Sequence, residues 1–243
     1  MIIVISIVAF IAIAVIVLGG IYLFAPKSDP LYIAHKGYWS NCPSNSEEAF
    51  LNAAKMNFYG IETDIRKTKD GVYVCNHDET VKMANGEEKV LATTDYADLD
   101  LCTLNRYLEI CAVGNKIAVI ELKEDFDSDS VREILSIVDE TYDRSSISII
   151  SFHFSVLLRI KAEDPTINLQ YLSETENDPY FDRCLTENIS LDVSETILTK
   201  ALVKKFHKVG LPVNAWTVNE RFKLWLVRVK KVDYVTTDRA YRN

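Results

Sequence analysis

Hydrophobic and polar positions along the chain follow two rhythms. Nearly continuous Val, Ile and Leu runs recur at LYIAH (31–35), KIAVIEL (116–122), SISIISF (146–152), INLQYL (167–172), ISLDV (189–193), LPVNAWTV (211–218) and VDYVTTD (232–238). Between them lie segments with apolar residues at helical spacing, near 45–57, 103–112, 128–142, 154–163, 195–210 and 219–231. Unbroken apolar runs predict strands buried on both faces, as in a parallel sheet covered by helices. Asn45 or Ser46, and Ser128 or Asp129, fit helix N-caps, and Gly210 fits a C-cap. The stretch GIETDIRKTKDGVYVCNHD (60–78) reads as strand, tight turn and strand. The count of strands predicts a (β/α)8 TIM barrel, an α/β fold, with a doubly wound open sheet as runner-up. No GxGxxG or P-loop pattern follows a strand, which weakens the nucleotide-binding form of that runner-up.

The first 26 residues break the rhythm. They carry no charged side chain, and Lys27 is the first. An apolar segment of this length exceeds the ~20 residues that cross a bilayer core, and it lacks the polar face of a buried core helix. A cleavable signal peptide would need a basic start, a shorter apolar run and a small-residue cleavage site. The expectation is one N-terminal transmembrane helix over 1–26, a linker over 27–30 and the barrel over 31–243. A single flanking lysine leaves the side of the membrane open.

Composition narrows the partners. The 243 residues are 48% hydrophobic and 26% charged, enough for a packed core. A net charge of −8 argues against nucleic acid as a bulk partner. An anionic substrate stays compatible, because a metal or a few lysines can reverse the sign locally. Five cysteines without a CxxC spacing predict free thiols rather than a zinc site.

Chemistry gathers at the predicted strand ends: His35, Glu62 and Asp64, Glu121 and Lys123, Trp216, and Asp238. In a barrel these ends share one mouth. A turn centred between Asp70 and Gly71 sets Asp64 opposite His77, so that Glu62, Asp64 and His77 share a face. Two carboxylates buried together cost several kcal/mol without a partner. Oxygen ligands from Glu62, Asp64 and Glu121 would suit Mg²⁺ or Ca²⁺. Taken singly, each residue has an ordinary structural explanation: a salt bridge, a satisfied histidine, a core tryptophan. His153 and His207 read as structural or surface residues.

These residues resemble the glycerophosphodiester phosphodiesterase family over roughly 31–240. HKGYWSNCPSNSEEAF resembles the family's HRG…PENT…AF opening. GIETDIRKTKDGVYVCNHD resembles its long G-x-E-x-D…T-x-D-G…H-D block, and IELK, VNAWTV and VTTD continue the match in order. The resemblance implies a distorted (β/α)8 barrel and a divalent metal on Glu62, Asp64 and Glu121. It implies His35 and His77 as the acid/base pair, with Lys123 as a phosphate contact. Lys36 replaces the family's arginine and Ser44 its PENT glutamate. Lysine keeps the charge at that position but loses the planar fork.

The expected reaction is hydrolysis of a glycerophosphodiester to glycerol 3-phosphate and an alcohol. Lys36 and Lys123 would face the phosphate, and Trp216 would wall the mouth. A membrane anchor also makes a lysophospholipid a candidate substrate. A phosphodiester-binding protein that has lost catalysis, through Lys36 and Ser44, is the alternative of a different class.

Overall fold

The structure, a computed structural model, describes residues 27–241. The anchor expected over 1–26 lies outside the described residues. Among the described residues no helix is long and apolar enough to cross a membrane.

The chain opens with β1 (Leu31–Ala34), α1 (Glu47–Ala54), β2 (Gly60–Lys67) and β3 (Tyr73–Cys75). A small hairpin follows, β4 (Thr80–Lys82) and β5 (Glu88–Val90). Strands and helices then alternate: α2 (Leu104–Gly114), β6 (Ile117–Leu122), α3 (Ser128–Thr141), β7 (Ile147–Ser151) and α4 (Phe154–Glu163). The last part is β8 (Asn168–Ser173), α5 (Tyr180–Thr186), β9 (Ser190–Ser194), α6 (Lys200–His207), β10 (Val213–Trp216), α7 (Arg221–Lys230) and β11 (Tyr234–Thr237).

The strands β1, β2 and β6 to β11 pair in parallel, each with its neighbour, and β1 pairs with both β2 and β11. That double pairing closes the sheet into the expected eight-stranded parallel barrel. In the same sheet β3 runs antiparallel, as an extension of β2, and β4 and β5 pair antiparallel as a separate hairpin. Ile33, Val119, Ile150 and Leu172 form a small apolar cluster inside the barrel. The larger core lies between strands and helices, and includes Phe50, Ile61, Tyr107, Ile134 and Phe206. All five cysteines are free, and Cys75, Cys111 and Cys184 are buried.

Helix ends differ from the sequence reading where several residues could serve as caps. Ser46 caps α1 by accepting a hydrogen bond from the Ala49 amide at 3.2 Å. Asp127, one residue before the expected pair, caps α3 by accepting from Ser130 N at 2.9 Å. The helix expected from 195 starts at Lys200, because Thr199 takes the cap by accepting from Leu202 N at 3.0 Å. It ends before Gly210, with Lys208 as its C-cap.

The loop after β1 turns sharply, with φ of 57° at Lys36 and 79° at Gly37. A Cβ at Gly37 would come within 2.7 Å of the Ala49 backbone, so only glycine lets α1 approach this closely. The turn aims Lys36 back across the mouth, toward β2.

Candidate active site

The side chains gathered at the barrel mouth come from β1, β2, β6 and the loops that follow them, joined by His77 from the loop after β3 and Trp216 from β10. The pairing of Asp64 with Glu121 across β2 and β6 brings their carboxylates level. Oxygen atoms of Glu62, Asp64 and Glu121 lie within 4.8 Å of one another. The three residues are 2%, 0% and 8% exposed. Glu62 and Asp64 were expected at a strand end, but β2 continues past them to Lys67. They stand at the mouth because β6, their partner strand, ends at Leu122.

The surroundings of this triad are polar and directional. Lys36 donates its backbone N–H to Glu62 Oε2 at 2.8 Å, and its Nζ lies 3.7 Å from Asp64 Oδ2. Lys123 Nζ lies 2.8 Å from Glu121 Oε1 and 3.6 Å from Asp64 Oδ1. Asn45 donates to Asp64 Oδ2 at 2.8 Å, while its own carbonyl accepts from Thr63 Oγ1 at 2.9 Å. Asn45, read from sequence as a helix cap, adopts a φ of 55° and serves the triad instead. The signal was its place in PSNS, inside the segment that resembles PENT. Ser44 beside it is exposed.

Burial, then repulsion from Asp64 and Glu121, pushes Glu62 well above the ordinary carboxyl range. Burial, then the charge of Asp64, pushes Glu121 up to about 7. Burial also pulls on Asp64, but Lys36, Lys123 and the Asn45 hydrogen bond outweigh it and hold Asp64 low. Three carboxyls share two ammonium groups, so all three can be ionised together here only with further positive charge. Asp64 Oδ1 is buried without a hydrogen-bond donor, and Lys123 touches Glu121 Oε1 without hydrogen-bond alignment. An all-oxygen donor set with unfilled acceptors fits a hard divalent cation.

The two expected histidines flank this centre, each held by an aspartate. His35 donates from Nδ1 to Asp238 Oδ1 at 2.7 Å. Asn219 fixes Asp238 by donating to its Oδ2 at 2.6 Å and accepting from its amide at 2.9 Å. His77 donates from Nδ1 to Asp78 Oδ1 at 2.7 Å. Burial is the largest influence on Asp238 and raises it, but the hydrogen bond and charge of His35, with the Asn219 bond, together outweigh it and leave Asp238 below the usual range. The His77 bond lowers Asp78 likewise. Each arrangement leaves Nε2 as the ring nitrogen open to a substrate.

His77 does not arrive by the expected pairing. Ile65 faces Cys75, and one further step sets Asp64 against Asn76, whose amide donates to the Asp64 carbonyl at 2.9 Å. The ladder is displaced by one residue because the connection takes all of 68–72. His77 reaches the mouth from the loop beyond β3. Arg66 Nε holds its carbonyl at 2.9 Å.

His35, Lys36, His77, Lys123 and Trp216 line one cavity of about 290 Å³ together with the triad. All eight residues predicted for the site therefore meet there. Sequence reasoning missed Asp192, a buried carboxyl of β9 that lines the same cavity. His153 and His207 are exposed and do not line this cavity; their ring nitrogens contact the Lys123 carbonyl at 3.3 Å and Asp233 at 2.8 Å. A larger groove of about 860 Å³, beside Arg221 and Arg228, contains none of the eight residues.

The glycerophosphoryl diester phosphodiesterase family model matches residues 35–241. The chain belongs to that family. As a glycerophosphodiester phosphodiesterase it is a hydrolase of glycerophosphodiesters, in a family that depends on a divalent metal. A probable glycerophosphodiester phosphodiesterase 2 of Mycobacterium tuberculosis is 25% identical over 229 residues, covering 86% of this chain and 87% of that protein. The human lysophospholipase D GDPD3 is 24% identical over 242 residues, covering 77% of this chain and 75% of that protein. An Oleispira antarctica phosphodiesterase, solved with its product sn-glycerol-3-phosphate, shares the fold with a TM-score of 0.80 at 19% identity. The match covers 87% of this chain and 94% of that one.

Proposed function

We propose that Glu62, Asp64 and Glu121 hold one divalent ion, Mg²⁺ or Ca²⁺, and that His35 and His77 exchange protons with a glycerophosphodiester beside it. The observation that carries this reading is the buried carboxylate triad with an unpartnered oxygen, flanked by two histidines braced on Nδ1. When bound, the ion supplies positive charge to phosphate and hydroxyl oxygens. Lys36 and Lys123 add charge for the phosphate. One histidine, through Nε2, takes a proton from water or from the substrate's own 2-hydroxyl. The other gives a proton to the leaving oxygen. Asp238 and Asp78 keep both rings in the tautomer this exchange needs. With water as nucleophile, its oxygen bonds to phosphorus as the P–O bond to the alcohol breaks, which gives glycerol 3-phosphate and the free alcohol; with the 2-hydroxyl, a cyclic phosphate forms as the alcohol leaves, and water then opens it to glycerol 3-phosphate. The product bound in the Oleispira antarctica enzyme supports this assignment.

Residues 1–26, uncharged throughout, act in this reading as a membrane anchor, and 27–30 as the linker to the barrel over 31–243. An anchor would hold the mouth near lipid-derived substrates. A second reading, lysophospholipase D-type cleavage, is favoured by the human relative of that name.

The test is product release by the full-length chain in Mg²⁺, in Ca²⁺ and in chelator. The substrates are glycerophosphocholine, glycerophosphoglycerol and lysophosphatidylcholine. Metal-dependent glycerol 3-phosphate, lost in Glu62→Ala, is the expected result. Lysophosphatidic acid as the sole product would favour the second reading. Metal binding without release from any substrate would leave a binding protein, with Lys36 and Ser44 as its explanation.

A further inference from the structure

The cavity has two walls of different chemistry. The β1, β2 and β6 wall carries both lysines, both histidines and the triad. On the opposite wall, from β7 to β10, the ionisable groups lining the cavity are two carboxyls, Glu174 and Asp192. Phe152 and Trp216 meet there edge to face, with ring centroids 5.8 Å apart and planes at 86°. The Trp216 indole donates to the Asp192 carbonyl at 3.2 Å, which fixes its ring. Ile150 and Leu172, both buried, complete the wall. Glu174 is exposed, and no cation pairs with it among the described residues. Asp192 is buried, so Glu174 is the carboxyl that this wall presents at its surface.

We infer that this wall is the leaving-alcohol subsite and that it selects a cationic amino alcohol, of the choline or ethanolamine class, over a neutral polyol. The inference rests on the phosphodiesterase reading. With the phosphate held by the lysine-bearing wall, the other ester arm crosses onto β7–β10. Two ring faces meeting at a right angle form a corner that attracts an ammonium group. Glu174 complements the charge, and no lysine or arginine lining that wall opposes it. A cavity of about 290 Å³ suits a deacylated diester.

Initial rates with glycerophosphocholine, glycerophosphoethanolamine and glycerophosphoglycerol test this on the full-length chain and on its Glu174→Lys and Phe152→Leu variants. The wild type should favour the two cationic substrates in kcat/KM by roughly five- to twenty-fold. Glu174→Lys, at an exposed position, should lower kcat/KM for the cationic substrates about ten-fold more than for glycerophosphoglycerol, chiefly through KM. Choline alone should compete with substrate in the wild type and lose that effect in Glu174→Lys. Turnover of all three substrates without preference, or a preference unchanged in Glu174→Lys, would overturn the subsite and leave the phosphodiesterase reading standing. No turnover of any of the three would overturn both.

Discussion

The barrel contains two sets of buried carboxyls, and it treats them differently. Asp192 on β9 is paired with neither lysine of the triad: its carboxyl accepts one hydrogen bond, from Asn214 at 3.0 Å, and Asn214 also bonds Thr236 at 2.8 Å. Burial pushes Asp192 up to about 8, so near neutral pH a proton removes most of its charge. Glu62, Asp64 and Glu121 are equally buried but share two lysines. Asp64 stays ionised while its two neighbours are driven up. An isolated buried acid becomes neutral. In the reading proposed above, a cluster with a carboxylate held charged by cations becomes a seat for a hard ion. Burial alone therefore does not distinguish a metal ligand, but the company it keeps does.

Amide substitutions at the two sites should separate them most sharply. Asp64→Asn keeps shape and removes charge, and should lower kcat by ~10³-fold or more. His35→Ala and His77→Ala should each cost roughly 10²- to 10⁴-fold and remove one limb of a bell-shaped pH–rate profile. Substantial activity left in either mutant would remove that histidine from the mechanism. Asn45→Ala, which strips a hydrogen bond from Asp64, should weaken metal affinity roughly 10- to 100-fold with the fold retained. Asp192→Asn should be mild, about 1 kcal/mol or less in stability at pH 7, because it resembles the protonated acid. A large effect of Asp192→Asn with a small one of Asp64→Asn would invert the comparison.

Acidity gives a gentler test. In metal-free protein, Glu62, Glu121 and Asp192 bind protons more tightly folded than unfolded. Stability from these groups is thus fully present below the ordinary carboxyl range. It is lost as pH rises, through about 7 for Glu121 and about 8 for Asp192. Thermal melts should show Tm falling from pH 5 to pH 8 without metal. Added Ca²⁺ should raise Tm more at pH 8 than at pH 5. An equal rise at both would detach the metal from the triad.

Most strands were legible because barrel strands are unbroken Val/Ile runs, and the glutamate–aspartate pair stood out against that background. The hairpin register was not. A half-buried strand would fix its register by its polar face, but β2 is buried on both faces, with Thr63 fully buried between the two acids. Thr68 also closes a wider connection than a tight turn, accepting from the Val72 amide at 3.0 Å and donating to Asp70 at 2.6 Å. The α5 helix was missed because its seven residues, after Pro179, carry too little periodicity to register. Asp238 was seen at a strand end, but its bond to His35 spans 203 positions and follows only from closure of the barrel. Asp192 sits in an ordinary strand, ISLDV, and no spacing marks its exposure to the cavity.

The triad, and not Asp192, should bind the ion. Calorimetric titration of Ca²⁺ and Mg²⁺ into the full-length wild type, Asp64→Asn and Asp192→Asn tests it directly. One saturable site is expected in the wild type and in Asp192→Asn, and none in Asp64→Asn. Unchanged binding in Asp64→Asn, or binding lost in Asp192→Asn, would contradict it.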